Sequence, residues 1–361
     1  MRKVVVYIGL IMMLAACEEI YVPKLDKVDE ALVVEAQIVQ GETENVIKLT
    51  RSLGFNEQNI NVKRYPVISG ASVTIIDSNN NEHILPEMGT GNFKVDFALD
   101  SELQYKIRVD YSNDIIESEF ESVPEVPQVD TLYAGVVEKV IDGGGVNSVN
   151  DFWKRDVLQV YVDINQAPET NNYRFTWRKI TQYVYIEPAV GMLPEVPHYA
   201  WYSSFPGGIF NIASPPEYTS EKSIEKHPLF YFALNENMPS PDDLSSFNQG
   251  YIYILYQYAL SESAARYYKD LNNQLGSEGH IFDPMYVQAR NNLRCINNPD
   301  KVILGNFEIT TIKERRYFVK YISEKFGFVF KEIPYFYNIP DNGDVTDYPP
   351  DFWEFETKTY P

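Results

Sequence analysis

The chain has 361 residues, enough for two domains, and its 51 acidic against 31 basic side chains give a formal net charge of −20. So acidic a body repels phosphate backbones and anionic head groups, which argues against nucleic acid as a partner. Its two cysteines, Cys17 and Cys295, exclude a disulfide-rich scaffold, so stability has to come from burial.

The chain opens with the basic stretch Met1-Arg2-Lys3, an apolar run from Val4 to Met13, and then Leu14-Ala15-Ala16-Cys17. A basic start, a short apolar core and small residues before a cut site are the marks of a signal peptide, over residues 1–16. The run is shorter than the roughly 20 apolar residues of a membrane-spanning helix. Leu14-Ala15-Ala16-Cys17 resembles the lipobox of bacterial lipoproteins: small residues admit a peptidase, and the Cys17 thiol is the group a lipid donor alkylates. Acyl chains contribute about 0.8 kcal/mol per buried CH₂, and two or more anchor a protein stably. The competing reading is an ordinary signal peptide followed by a chance cysteine. Removing the leader leaves 345 residues with a charge near −22, since Arg2 and Lys3 leave with it. Glu18 and Glu19 follow Cys17 at once. They resemble the acidic signal that sends lipoproteins of Bacteroidota-type bacteria to the outer face of the outer membrane; otherwise they keep a linker soluble.

Residues 17–30, polar and interrupted by Pro23, form the expected tether. From Ala31 short apolar runs alternate with turn signals. Leu32–Ile38, Val46–Leu49, Ala71–Asp77, Asn92–Phe97 and Tyr105–Tyr111 are the expected strands, with Ser78-Asn79-Asn80-Asn81 as a turn. Strands at this spacing predict an N-terminal β-sandwich over residues 31–124, of immunoglobulin or transthyretin type. Val123-Pro124-Glu125-Val126-Pro127 marks a boundary, because paired prolines disfavour a continued strand.

Residues 128–361 are then expected to form a larger β-rich domain with one substantial helix, making the whole chain all-β. Asp142-Gly143-Gly144-Gly145 lacks the Lys and Ser/Thr of a phosphate-binding loop. Val157–Asp163, Tyr173–Trp177, Gly250–Tyr256, Val302–Phe307 and Arg316–Tyr321 are strand-like. Residues 187–220, rich in proline and aromatics, are expected to be surface loops. Ser261 has the character of a helix N-cap, Ala264, Tyr267, Tyr268, Leu271 and Leu275 share a helical face, and Gly276 closes the segment. This predicts a helix over Glu262–Gln274.

The order of several segments is similar to that in a family of Bacteroidota outer-membrane lipoproteins, domain of unknown function family 4249. Leu32-Val33-Val34-Glu35, Gly70-Ala71-Ser72-Val73, Gly91-Asn92-Phe93, Arg155-Asp156-Val157 and Tyr173-Arg174-Phe175-Thr176-Trp177 carry the likeness. So do Ile281-Phe282-Asp283-Pro284, Asn297-Asn298-Pro299, Val302–Phe307 and Pro350-Asp351-Phe352-Trp353. Many members carry a C-terminal cysteine pair, where this chain has Cys295 alone. The resemblance implies a surface-exposed accessory lipoprotein, anchored in the outer membrane through lipid on Cys17 and working alongside a TonB-dependent barrel transporter.

Residue chemistry favours binding over catalysis. His83, His198, His227 and His280 have no zinc-protease spacing, so neither a metal nor another cofactor is expected. Cys295 reads as a buried thiol. Asp341-Asn342-Gly343-Asp344 does not match an EF-hand and reads as a solvated turn. No Gly-x-Ser-x-Gly elbow occurs, and carboxylates are too numerous for a pair to stand out. Beside Gly207-Gly208 lie Tyr199, Trp201, Tyr202 and Phe205. On a loop these rings could anchor a protein partner or stack on a glycan or peptide; the competing reading is packing. A free-standing glycan or peptide binder is thus the alternative to a transporter accessory, and a hydrolase is the weaker third.

Overall fold

The computed structural model describes residues 30–52, 66–127, 131–142, 152–165, 172–187, 196–216, 223–233, 246–276, 289–323, 327–335, 338–341 and 343–346. Cys17, Glu18, Glu19 and His280 lie outside them. Among the described residues the first strands are Leu32–Val39 (β1), Val46–Arg51 (β2), Ser72–Asp77 (β3), Glu82–Ile84 (β4), Glu87–Gly89 (β5), Asn92–Lys94 (β6), Gln104–Tyr111 (β7), Asp114–Ser118 (β8) and Glu121–Ser122 (β9). Then come Thr131–Asp142 (β10), Phe152–Ile164 (β11), Asn172–Glu187 (β12), Val196–Ser204 (β13), Asn211–Ala213 (β14), Ile224–Ala233 (β15) and Ser246–Leu260 (β16). Helix α1 spans Glu262–Leu275, followed by Leu293–Cys295 (β17), Ile303–Ser323 (β18), Gly327–Glu332 (β19) and Val345–Thr346 (β20). The protein is all-β and sandwich-like, with this one helix among the described residues.

The strands form three sheets. The largest runs β20-β13-β12-β16-β18-β1-β2-β6-β5, the second β17-β8-β7-β3-β4, and the third β10-β11-β15. Strict alternation on β1 buries Leu32, Val34, Ala36 and Ile38 and turns Glu35 outward. Those residues meet Val73, Ile75, Ile107, Val109 and Ile116 of the second sheet in one core. Each fully buried Val, Leu or Ile side chain there contributes about 1.5–3 kcal/mol. Residues 31–124 supply most of this sandwich; Leu293, Cys295, Ile303, Phe307 and Ile309 supply the rest of its core. Cys295 is buried, as its sequence setting implied, with its Sγ 3.3 Å from Asn297 Oδ1. A second core lies between β12, β16 and β18 and the third sheet, around Tyr173, Phe175, Tyr253, Leu158 and Val160.

The sequence suggested two strands where the structure has one. β18 is 21 residues long: its first part pairs parallel with β1, Leu32 to Val39 against Ile303 to Thr310, and Thr311–Val319 pairs antiparallel with β16. Glu308 and Lys313 interrupt the apolar pattern, but Ile309, Thr310, Thr311 and Ile312 are β-branched and carry the strand through. Parallel pairing is tight at Gly305, where φ is +91° and an added Cβ would stand 2.0 Å from the Val34 carbonyl oxygen.

The expectation that residues 187–220 lie outside the sheets is overturned for Val196–Ser204 and Asn211–Ala213, while 205–210 and 214–216 lie outside the strands as expected. Val196–Ser204 pairs with β12 over nine residues, Lys179 to Glu187, and Asn211–Ala213 pairs with it too. Pro197 is tolerated because β13 lies near the sheet edge: its outer neighbour β20 reaches only Tyr199 and Ala200. The helix, by contrast, falls where the caps placed it. Ser261 Oγ accepts from the Ala264 N–H at 3.2 Å, Gly276 N–H donates to Asn272 O at 2.8 Å, and Ala264 and Ala265 are buried.

Candidate functional site

Helix α1 lies across the face of the joined β1 and β18 strands, the face opposite the sandwich core. Alternation aims Gln37, Asn306 and Glu308 toward the helix while Ala36 and Phe307 fill the core. Between them opens a cleft of about 790 Å³, walled by Tyr258, Tyr267, Tyr268 and Phe210 and floored by Glu308 and Asn306. That volume suits a small-molecule or side-chain ligand.

Glu308 is the centre of its chemistry. It is 2 % exposed. One carboxylate oxygen accepts from Tyr268 Oη–H at 3.0 Å and from Gln37 Nε2, and Arg174 Nη2 stands 3.9 Å away. Its other oxygen has no protein partner, and neither does Asn306 Nδ2. Buried polar atoms are almost always partnered, so two orphans in one cleft point to a group that arrives from outside. Arg174, from β12, is held between the rings of Tyr258 and Tyr268, 4.3 and 4.8 Å from its guanidinium carbon. Glu35, Glu42, Glu44 and Lys48 also line the cleft, with Glu35 3.8 Å from Lys48 and Glu44 3.3 Å from Lys94, so carboxylates dominate the lining.

The helix is pinned in place. Asn272 accepts from the Phe210 N–H and donates to its carbonyl oxygen, both at 2.7 Å, and Phe210 packs on Tyr268 at 4.8 Å. At the other end Ser263 Oγ donates to buried Glu121, which Asn292 Nδ2 also reaches at 2.8 Å. The helix is thus tied down at both ends.

Burial pushes the Glu308 carboxyl above its ordinary 4.5, against the pull of Arg174 and its two hydrogen bonds. Burial likewise raises Tyr258, Tyr267 and Tyr268, which keeps them as neutral donors. The raised Glu308 value has a stability consequence. The folded state binds the Glu308 proton more tightly than the unfolded chain does. Its contribution is therefore fully present below about pH 4.5 and is lost as the pH rises through the folded value. Urea denaturation across that range should show a wild-type slope more negative than that of Glu308→Gln, by up to about 1.4 kcal/mol per pH unit. Parallel slopes would mean that Glu308 titrates normally.

The residues singled out by sequence are scattered. Trp201 is core, 2 % exposed, with Ile180, Ile252 and Phe318, whereas Tyr202 and Phe205 are 57 % and 67 % exposed and Tyr199 is half-buried. None of the four lines the cleft. Asp341, Gly343 and Asp344 do form a turn, whose backbone bonds to Trp201. His83 stacks on Phe97 and His227 Nε2 bonds with Asn211 Oδ1 at 2.7 Å. Among the described residues no group of His, Cys, Asp or Glu is arranged to hold a metal. Glu308 was missed because the chain has so many carboxylates; the available signal was a charge between Phe307 and Ile309 in a strand interior.

No curated protein matches the chain, and no solved structure does. Residues 18–316, which include β1, Arg174, α1 and Glu308, match the family described as Domain of unknown function (DUF4249). The chain belongs to that family.

Proposed function

We propose that the protein is a non-enzymatic binding lipoprotein of a Bacteroidota outer membrane. It is anchored through lipid on Cys17 and exposed on the cell surface with the help of Glu18 and Glu19. The cleft carries the binding half of this reading, because it offers a ligand-sized volume with unpartnered buried polar atoms at its floor. The leader Met1–Ala16 and the cysteine behind it support the anchor. The family likeness supports a place beside a TonB-dependent barrel transporter, and exposed Tyr202, Phe205 and Ile209 offer that partner an apolar contact.

The cleft lining favours the free-standing alternative in one form, a peptide binder. Glu35, Glu42, Glu44 and Glu308 outnumber Lys48 together with Lys94 and Arg174, which pair with Glu44 and Glu308, and tyrosine rings stand beside them. Carboxylates and aromatic faces together suit a cationic side chain.

One experiment tests the anchor, and peptide binding with co-purification separates the two readings. Cys17→Ser should abolish membrane association, leaving precursor or soluble protein; a mature-sized variant that still floats with membranes removes the anchor. An arginine-rich peptide should stabilise the protein by about 2.7 kcal/mol at a hundredfold excess over Kd, and a glutamate-rich peptide of equal length should not. Co-purification with a barrel protein and no response to either peptide would leave the accessory reading alone.

A further inference from the structure

We propose that a second cavity, on the far side of Arg174 from the cleft, binds an aromatic carboxylic acid that carries a ring N–H or O–H. The cavity holds about 720 Å³ between the large sheet and the β10-β11-β15 sheet. Trp177, Phe230 and Tyr231 are among its walls, and exposed Pro206–Ile209 form its mouth. Such a volume lined by rings takes a planar apolar body.

Charge selects the acid. The cavity wall contains Lys139 and Arg174 and no described acidic side chain, in a chain of net charge −20. Lys139 Nζ sits 4.1 Å from the centre of the Tyr231 ring, and burial lowers its pKa, as expected of a cation short of a counter-charge. Arg174 is already supplied, since its guanidinium lies between Tyr258 and Tyr268 of the cleft with Glu308 3.9 Å from its Nη2, so Lys139 carries the selection. A carboxylate would supply the counter-charge that Lys139 lacks.

Gln159 selects the donor. It is 2 % exposed, and its backbone pairs opposite Tyr231. Its Nε2 donates to the carbonyl oxygens of Val160 and Phe230 at 3.0 and 2.9 Å, which fixes the amide and leaves Oε1 an acceptor with no protein partner. A buried acceptor left unpaired is costly, so the site discriminates against a ligand without a donor. This second site is independent of the cationic ligand proposed for the cleft.

The test is calorimetric titration of the full chain in lipid nanodiscs with indole-3-acetate, indole-3-acetamide and naphthalene-1-acetate. The first has both the charge and the N–H, the second lacks the charge, and the third lacks the ring N–H. Indole-3-acetate should bind saturably, with each analogue weaker by about tenfold. Lys139→Met should abolish the preference for acid over amide. At Gly207 a side chain would start in open space. Gly207→Trp should therefore fill the mouth and abolish binding with the circular dichroism unchanged. No saturable binding, equal affinity for all three compounds, or undiminished binding by Gly207→Trp would overturn the proposal.

Discussion

Gly305→Ala should destabilise the protein by more than about 4 kcal/mol, a size reserved for a few mechanisms. Two act together here. A non-glycine residue at φ +91° is strained by about 1–3 kcal/mol. The new Cβ would also stand 2.0 Å from the Val34 carbonyl oxygen and 2.7 Å from its carbon, which are backbone atoms that cannot rotate away. To relieve the contact β1 must part from β18, and the Gln37 to Glu308 bond on the cleft floor lies three residues further along. Urea unfolding measures the loss. Gly89→Ala is the control, since a Cβ there meets nothing within 4 Å and φ is not positive; equal effects of the two substitutions would refute the argument.

Trp201→Ala should cost about 3–5 kcal/mol, the range for deleting a large buried aromatic. The indole packs with Ile180, Ile252 and Phe318, and its Nε1 donates to Thr346 Oγ1 at 3.2 Å. A surface-loop reading of this segment predicts the reverse, a near-unchanged melting temperature. Tyr202→Ala and Phe205→Ala, at exposed positions, should stay within about 0.5 kcal/mol of wild type. If Trp201→Ala proves as mild as they are, the indole is not part of the core. Of the four rings, Tyr202 and Phe205 remain exposed to meet a partner.

Local signals were legible and distant ones were not. Ser261 and Gly276 mark the helix because capping is decided within one turn, and β1 is plain because its alternation is strict. β13 was misread because Pro197 and the prolines around it spoke louder than the inward series Tyr199, Trp201 and Ser203, and sheet-edge placement cannot be seen in one strand. The cleft was invisible for another reason. Gln37 and Glu308 are 271 positions apart, and nothing local to either predicts their meeting. Arg174 likewise reads as an ordinary strand residue until Tyr258 and Tyr268 close on it.

The parallel pairing of β1 with β18 also dictates a timetable. A chain made from its N-terminus presents β1 long before residues 303–310 exist. Until they arrive, that side of β1 is an unsatisfied row of amides and carbonyls beside an incomplete core, the kind of edge on which chains aggregate. Closing so long a loop is slow, since its entropy is lost before any contact repays it. That edge stays open until residues 303–310 are made, and a fragment ending before β18 would keep it open permanently.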